Sequence, residues 1–134
     1  MSSRLNPYLA FSGNARQAME FYREVFGGEL AVDTYGASGM AAPGDEDKVM
    51  HAQLETPAGY TLMASDAPAG MEARGGSDIS ISLSGDDADL RGHFEKLASG
   101  GEVTMPLDRQ PWGDEFGMLV DRFGVQWMVD ISTR

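Results

Sequence analysis

Three segments in the first half of this chain of 134 residues return in the same order in the second half. Residues 8–14 (YLAFSGN) align with residues 80–86 (SISLSGD), and the GGEL of residues 27–30 returns as the GGEV of residues 100–103. A third match pairs Leu54, Gly59 and Met63 with Leu119, Gly124 and Met128, and the separation along the chain is the same in all three pairs. Ordered self-similarity of this kind predicts two copies of one structural unit. We expect them to adopt a pseudo-twofold arrangement that encloses a shared cleft.

The first copy is predicted to be a βαβββ unit. Asn14 occupies the N-cap position of an amphipathic helix whose apolar residues recur at helical spacing, and the Gly27-Gly28 pair ends that helix. A turn-rich stretch after the second strand predicts a long surface loop, residues 36–47. The predicted strands are residues 5–11, 29–35, 49–55 and 60–64, and the predicted helix is residues 15–26.

The second copy follows the same plan. Its predicted strands are residues 79–83, 102–105, 116–120 and 125–131, and its predicted helix is residues 87–98. We therefore predict an α+β fold of two βαβββ modules, residues 1–66 and 77–134, joined by a linker at residues 67–76 within one structural domain. Each module is expected to place its helix outside a curved mixed sheet.

Alternation along the strands separates two faces of each predicted sheet. One face is apolar, as in Met50, Ala52 and Leu54, and suits packing under the helix. The other combines polar groups with methionine and aromatic side chains, as the lining of a small-molecule cleft does. The alternative is a face that only meets water. The predicted ligand-binding residues are Tyr8, His51, Gln53, Met63, Asp78, Ser80, Ser82, Phe116, Met118, Gln126, Met128 and Asp130.

Composition and charge exclude several classes of function. The chain contains no cysteine, so it has no disulfide, no thiolate nucleophile and no thiolate metal site. Its formal net charge of -11 argues against nucleic acid and anionic membrane surfaces as partners, because both require a basic surface. No apolar run approaches the roughly 20 residues that span a bilayer, and the N-terminus lacks the apolar core of a signal peptide. We therefore expect a cytoplasmic protein.

Two sequence motifs resemble those of a known superfamily. Residues 7–22 read PYLAFSGNARQAMEFY, and residues 121–127 read DRFGVQW. Together with the paired βαβββ units, they resemble the vicinal oxygen chelate superfamily, which includes glyoxalase I, bleomycin resistance proteins and extradiol dioxygenases, and within it the PhnB-like branch. The resemblance covers nearly the whole chain and implies a homodimer. It implies little about activity, because these motifs encode mainly turns, caps and packing and the fold hosts many chemistries.

The resemblance also identifies the positions at which metal-dependent members of the superfamily bind a divalent ion, usually through His and Glu. In this chain those positions fall at Asn6 and Asp78 in the first strands and at Met63 and Met128 in the fourth strands. Ions such as Zn²⁺ and Mn²⁺ prefer carboxylate oxygen or imidazole nitrogen, whereas thioethers suit soft ions. Only Asp78 is a good ligand. We therefore predict no metal and no other cofactor.

His51 is the more informative of the two histidines. Strand alternation places it with Gln53 on the cleft face, where it would orient a ligand or act as a general acid or base. The alternative is a histidine of the cleft wall that only hydrogen-bonds to a neighbour. His51, Glu55 and Asp78 form a further candidate site, whereas His93 lies on the predicted helix and suits the surface or partial packing.

These features predict a small-molecule-binding protein of the glyoxalase and bleomycin resistance type that lacks the usual divalent metal site. Its methionine and aromatic residues would provide adaptable apolar contacts, and its polar groups would orient the ligand. The acidic groups favour a ligand that is cationic or donates hydrogen bonds. The alternative is a lyase, isomerase or dioxygenase of the glyoxalase type with an atypical metal site, which retained stoichiometric metal would distinguish.

Overall fold

A computed structural model describes residues 5–39, 44–67 and 79–132. These residues form two compact units, the first up to residue 67 and the second from residue 79. Each unit is a four-stranded mixed sheet with one long helix packed on it. The predicted α+β fold of two βαβββ modules is confirmed. Among the helices formed by the described residues, none is both long and apolar enough to cross a membrane.

The first unit contains four strands, its long helix and one short helix. In its sheet the strand order is β1-β4-β3-β2, with β1 parallel to β4 and the other neighbours antiparallel. The elements are β1 (Tyr8–Phe11), α1 (Ala15–Phe26), β2 (Glu29–Thr34), α2 (Tyr35–Ser38), β3 (Val49–Glu55) and β4 (Thr61–Asp66).

The second unit repeats this topology with a shorter helix. Its strand order is β5-β8-β7-β6, again with the first and last strands parallel. The elements are β5 (Ile81–Gly85), α3 (Leu90–Ala98), β6 (Glu102–Arg109), β7 (Glu115–Val120) and β8 (Gln126–Ile131).

Each helix covers one face of its own sheet. The buried stripe of α1 includes Met19 and Tyr22, and it packs on a sheet face that contributes Leu54 and Ala64. In the second unit the core residues are Leu90, Phe94 and Leu97 from α3 with Leu119, Trp127 and Val129 from the sheet. Full burial of such side chains contributes about 1.5–3 kcal/mol each relative to exposure. The apolar faces predicted from strand alternation are therefore the helix-covered faces.

Several element boundaries differ from the sequence-based expectations for identifiable reasons. Strand β1 begins at Tyr8 and not at residue 5, because Pro7 has no N–H to extend the ladder, although its carbonyl accepts from Met63 N. Strand β6 continues past Pro106, which an edge strand with register shifts tolerates. The predicted loop 36–47 overlaps helix α2, whose first turn is capped by the side chain of Thr34.

The prediction that Asn14 caps helix α1 is wrong, because another residue does so. Asn14 makes no side-chain cap hydrogen bond. Asp66, at the end of β4 and buried, accepts from Gly13 N and Ala15 N through Oδ1 and from Val49 N through Oδ2, each at 2.9 Å. A carboxylate at a helix N-terminus satisfies unpaired N–H groups and complements the helix dipole. One side chain thus ties together the start of α1, the start of β3 and the end of β4.

The internal repeat is confirmed in the hairpin turns. In the first strand of each unit, however, the structural correspondence is shifted by two residues from the sequence alignment. The strand ladders place Tyr8 beside Met63, and Ser82 beside Met128. Structurally, Tyr8 therefore corresponds to Ser82 and not to Ser80, as the sequence alignment had suggested. The alignment matched the small polar residues that follow β1 with similar residues that lie inside β5, because that strand continues through Gly85.

Candidate functional site

The face of the first sheet turned away from α1 is defined by the strand register. We call it the far face of the first sheet. Residues paired across neighbouring strands point to the same side of the sheet, so they form rows across it. The residues of the far face alternate along each strand with the buried residues under the helix. It consists of Tyr8 and Ala10 from β1, Thr61, Met63 and Ser65 from β4, His51, Gln53 and Glu55 from β3, and Glu29, Ala31 and Asp33 from β2.

Five side chains on this face form one continuous line of hydrogen bonds, which we call the far-face chain. The hydroxyl of Tyr8 lies 3.1 Å from Nδ1 of His51, and Nε2 of His51 lies 3.4 Å from Oε1 of Gln53. The amide of Gln53 donates to Oε2 of Glu55. The hydroxyl of Thr61 donates to the other oxygen of Glu55 at 2.9 Å. The chain therefore runs across three strands.

The chemistry of the far-face chain sets its direction. Glu55 as a carboxylate only accepts, so the amide nitrogen of Gln53 donates to it and the amide oxygen of Gln53 faces His51. That oxygen accepts from His51 Nε2–H, which leaves Nδ1 with a lone pair that accepts from the hydroxyl of Tyr8. The tautomer of His51 is thus assigned by the network. Every donor in the line points toward Glu55.

Apolar and aromatic groups surround the exposed end of this chain. The rings of Tyr8 and His51 are tilted by 38° with centroids 5.7 Å apart, and Tyr8 is 53% exposed. Met63 lies between Tyr8 and Gln53 in the strand register. Asp33 is paired with His51 on the neighbouring strand. The far face of the first sheet therefore combines ordered acceptors with a soft apolar surface.

The far face of the second sheet is more apolar. One row across its strands aligns Ser82, Met128, Met118 and Met105. The next row aligns Ser84, Asp130, Phe116 and Asp108. Gln126 belongs to a third row, and its amide nitrogen donates to Ile79 O at 3.4 Å. Methionine side chains adapt to irregular apolar partners, so this face offers adaptable contact with few polar groups.

Two carboxylates lie amid these residues, the exposed Asp108 and the half-buried Asp130. Burial raises the pKa of the Asp130 carboxyl above the usual range, and a shared hydrogen bond with Asp114 and the negative charge of Asp114 raise it further. Oδ1 of Asp130 is buried and has no hydrogen-bond partner among the described residues. Close by, the exposed ring of Trp112 packs edge-on against Phe116 with centroids 6.1 Å apart.

The predicted site residues separate into two groups, one in each unit. Tyr8, His51, Gln53 and Met63 share the far face of the first sheet. Ser82, Phe116, Met118, Gln126, Met128 and Asp130 share the far face of the second. Ser80 lies just before β5, and Asp78 falls outside the described residues, so a site that includes it stays a prediction.

Sequence reasoning missed several residues on or beside these faces, and three of them show why. Thr61, which donates to Glu55, shares strand parity with Met63 and was detectable from that alternation. Met105 completes the methionine row on β6, but the register shifts of that strand hide it from a simple alternation. Asp114 lies outside the predicted strands, and nothing in the sequence indicates that it approaches Asp130.

The described residues at the superfamily's metal positions are poor ligands for a hard or borderline divalent ion, and the remaining position, Asp78, lies outside the described residues. Asn6 precedes β1, and the neighbours of Met63 and Met128 on the adjacent parallel strands are Tyr8 and Ser82. Thioether, phenol and hydroxyl groups are poor ligands for Zn²⁺ or Mn²⁺. Within residues 5–39, 44–67 and 79–132, no three His, Asp or Glu side chains come together as a potential metal site.

Comparisons with known proteins agree with this architecture. Residues 4–129 match the model of the Glyoxalase/Bleomycin resistance protein/Dioxygenase superfamily. Protein YjdN of Escherichia coli K12 is 30% identical over 142 aligned positions, which cover 95% of this chain and 94% of the relative. The solved structure of PA1353 from Pseudomonas aeruginosa is 41% identical, with a TM-score of 0.88 and coverage of 99% of this chain and 100% of that one.

A third similar protein carries a name that indicates an enzyme. It is a putative 3-demethylubiquinone-9 3-methyltransferase, a PhnB protein from Bacillus cereus, and it is 27% identical with a TM-score of 0.74. The alignment covers 97% of this chain and 100% of that protein. The resemblance predicted from the sequence motifs is thereby confirmed, and the chain belongs to the Glyoxalase/Bleomycin resistance protein/Dioxygenase superfamily.

Proposed function

We propose that this protein binds a small, largely apolar organic molecule at the far faces of its sheets and does so without a divalent metal ion. The observation that carries the proposal is the far-face chain, in which Tyr8, His51, Gln53 and Glu55 are held in fixed orientation beside Met63. Ligand sites typically combine an apolar lining with a few oriented polar groups. Sequestration of a drug-like compound is the form of binding that fits best.

The methionines of the second sheet support the same proposal. Met105, Met118 and Met128 lie side by side across three strands, and Phe116 occupies the next row. Flexible thioether chains fill irregular gaps and tolerate ligands of different shape. The residues at the metal positions favour a metal-free site, because two of the four are methionines.

In this proposal the protein is a cytoplasmic homodimer, as the resemblance to the superfamily implies. Its net charge of -11 supports a soluble partner rather than nucleic acid or an anionic surface. Light scattering at micromolar concentration is expected to give twice the mass of the 14.4 kDa chain. A monomeric mass at that concentration would remove the dimer from the proposal.

A thermal-shift screen tests the binding proposal. Protein dialysed against EDTA is screened with aromatic natural products and metabolites, each at a concentration well above its expected Kd. A ligand present at 100 times its Kd stabilises the folded state by about 2.7 kcal/mol, which corresponds to a rise in Tm of several degrees. The same hits are then measured with Zn²⁺ or Mn²⁺ added, and we expect unchanged shifts. A panel that produces no stabilisation contradicts the proposal.

One observation favours a second candidate, an enzyme of the glyoxalase type with an atypical metal site. The far-face chain joins the imidazole of His51 to the carboxylate of Glu55 through Gln53, and such coupling suits general acid–base catalysis. The candidate is a lyase, an isomerase or a dioxygenase. Metal analysis of the purified protein distinguishes it: stoichiometric metal that survives dialysis favours the enzyme, and its loss favours the metal-free binding protein.

A further inference from the structure

The exposed end of the far-face chain presents a hydrogen-bond acceptor. Because Tyr8 donates its only hydroxyl proton to His51 Nδ1, its oxygen faces outward with lone pairs alone. Hydrogen bonds aligned in one direction polarise one another, so the carboxylate of Glu55 strengthens the acceptor at the far end. A ligand that meets Tyr8 must therefore donate a hydrogen bond.

The charge of the surrounding face favours a donor that is also a cation. The four strands of the first sheet contain no lysine and no arginine. Their far face carries Glu29, Asp33 and Glu55. Opposite charge within a few ångströms stabilises a cation, more so where water is partly displaced. An anionic ligand would meet only like charge on this face.

The rings and the thioether supply the third element of recognition. Cations bind the faces of aromatic rings, and Tyr8 is an aromatic residue that is 53% exposed. The tilted ring of His51 and the side chain of Met63 extend this surface beside it. An apolar or aromatic group attached to the cation would find soft contact there.

We infer that the far face of the first sheet recognises a protonated amine that carries an apolar or aromatic group, with the N–H donating to the hydroxyl oxygen of Tyr8. This rests on the proposed function and specifies its ligand class. The far face of the second sheet lacks an equivalent, since the positions that match His51, Gln53 and Glu55 hold Phe116, Met118 and Val120.

Three matched probes separate charge from hydrogen-bond donation. 2-Phenylethylammonium has both, its N,N,N-trimethyl derivative has the charge but no N–H, and 2-phenylethanol has a donor but no charge. Dissociation constants are measured at pH 7.5 by ligand-observed NMR on EDTA-dialysed protein. A charge-assisted hydrogen bond is worth about 1.5–3 kcal/mol, so we expect the primary ammonium to bind about 10-fold or more tightly than the alcohol. It should also bind several-fold more tightly than the trimethyl derivative.

Variants then assign the preference to the far-face chain. Tyr8→Phe keeps the ring but removes the acceptor, so the primary and trimethyl ammonium ions should bind equally. Glu55→Gln removes the charge and should lower the affinity for both ions. Tyr60→Phe is the matched control, because Tyr60 packs against Phe26 and lies in the turn between β3 and β4. It should retain the full preference of the unaltered protein.

The outcomes distinguish this inference from the proposed function. If the natural-product screen gives ligands but all three probes bind equally or not at all, the ammonium site is wrong and the binding function stands. A preference for the primary ammonium that survives in Tyr8→Phe also overturns the inference. If no compound in either experiment binds, the proposed function itself fails. Circular dichroism of each variant confirms that the fold is retained.

Discussion

The two sheets share one backbone frame and differ in the chemistry of their far faces. In the first unit Tyr60 N donates to the side chain of Thr56, and in the second Val125 N donates to the side chain of Asp121, both at 3.0 Å. Both turns also keep the same pair of backbone hydrogen bonds. The frame is therefore repeated down to individual hydrogen bonds of the closing hairpin.

The far faces diverge at equivalent places on this frame. Met63 and Met128 match, and each pairs with a central position of the neighbouring strand, Gln53 in one sheet and Met118 in the other. Flanking positions hold His51 and Glu55 in the first sheet but Phe116 and Val120 in the second. Backbone hydrogen bonds determine the shared backbone frame, so the side chains of the far faces can differ between the units without changing it. One unit thus carries directional polar groups and the other an adaptable apolar surface.

The largest expected effect concerns two buried carboxylates that the units use differently. Asp66 joins three segments distant in sequence, whereas Asp121 accepts from Phe123 N, Val125 N and Trp127 Nε1 within its own turn and strand. Asp66→Ala leaves buried N–H groups without this acceptor and is expected to cost about 4 kcal/mol. Asp121→Ala is expected to cost about 2–3 kcal/mol, since its turn keeps backbone hydrogen bonds.

Urea unfolding measures this difference. The free energy of unfolding of both variants is compared with that of the unaltered protein. If the transitions stay cooperative, all three are fitted with the same m value, the slope of that free energy against urea concentration. A loss for Asp121→Ala that equals or exceeds the loss for Asp66→Ala contradicts the view that bridging distant segments matters more than capping one turn.

Two glycines test whether the shared frame is equally tight in both units. A Cβ added at Gly28 would lie 2.1 Å from Glu55 O, and one added at Gly101 would lie 2.2 Å from Val120 O. Alanine at either position forces the hairpin backbone to move, and we expect a loss of about 3 kcal/mol in each case. Gly28 also has a φ of 106°, which alanine tolerates poorly, so its loss should be the greater.

Gly92 provides the matched control for both glycine variants. It lies inside α3, and a Cβ added there meets nothing within 4 Å. Gly92→Ala should stabilise the protein by about 0.5–1 kcal/mol, because alanine restricts the unfolded chain and favours the helix. If Gly28→Ala and Gly101→Ala differ by more than about 2 kcal/mol, the frame is not equivalent in the two units.

The frame was largely predictable from the sequence because its signals are local. Apolar alternation located β3 to the residue, and the glycine pairs marked the ends of both helices. The cap of α1 was not predictable, because Asp66 stands 51 residues from Ala15 and reaches it only once the sheet has formed. Asn14 had the expected residue type at the expected place and still made no cap bond.

For the candidate site, the sequence predicted which side chains share a sheet face but not how they are connected by hydrogen bonds. Strand parity placed His51 and Gln53 on one face, and Tyr8 was predicted to line the same cleft; in the structure all three lie on the far face of the first sheet. The direction of the far-face chain depends on which atoms meet, and so on cross-strand register between segments more than 40 residues apart. The first-strand register itself was misjudged by the sequence alignment of Tyr8 with Ser80.

An exchange of equivalent residues sharpens the contrast between the far faces. Gln53→Met interrupts the far-face chain, and Met118→Gln introduces an amide at the matching place of the second sheet. Each is expected to change the free energy of unfolding by about 1 kcal/mol or less, since both sites are only half-buried. Gln53→Met should weaken the preference for 2-phenylethylammonium over its trimethyl derivative, because Tyr8 keeps its acceptor oxygen but loses the polarising link to Glu55, and Met118→Gln should leave the preference intact. Equal losses in the two variants would contradict separate roles for the two faces.

The smallest effect concerns Asp130, which stands where the first sheet has Ser65. Its pKa is raised above the ordinary value of 3.8 by burial and by Asp114. The folded protein therefore holds this proton more strongly than the unfolded chain. That contribution to stability is complete below pH 3.8 and is lost as pH rises through the raised pKa.

Asp130→Asn removes a charge that the folded protein disfavours at neutral pH. Interactions between charges near a surface amount to about 0.2–1 kcal/mol, so Tm at pH 7.5 should rise by about 1–4 °C. The gain should shrink as pH falls through the raised pKa of Asp130, because the aspartate of the unaltered protein regains its proton there. Asp47→Asn, at an exposed position of the first unit, removes one charge elsewhere and controls for the net charge of -11. If both variants gain equally at every pH, general repulsion explains the effect and the pairing of Asp130 with Asp114 does not.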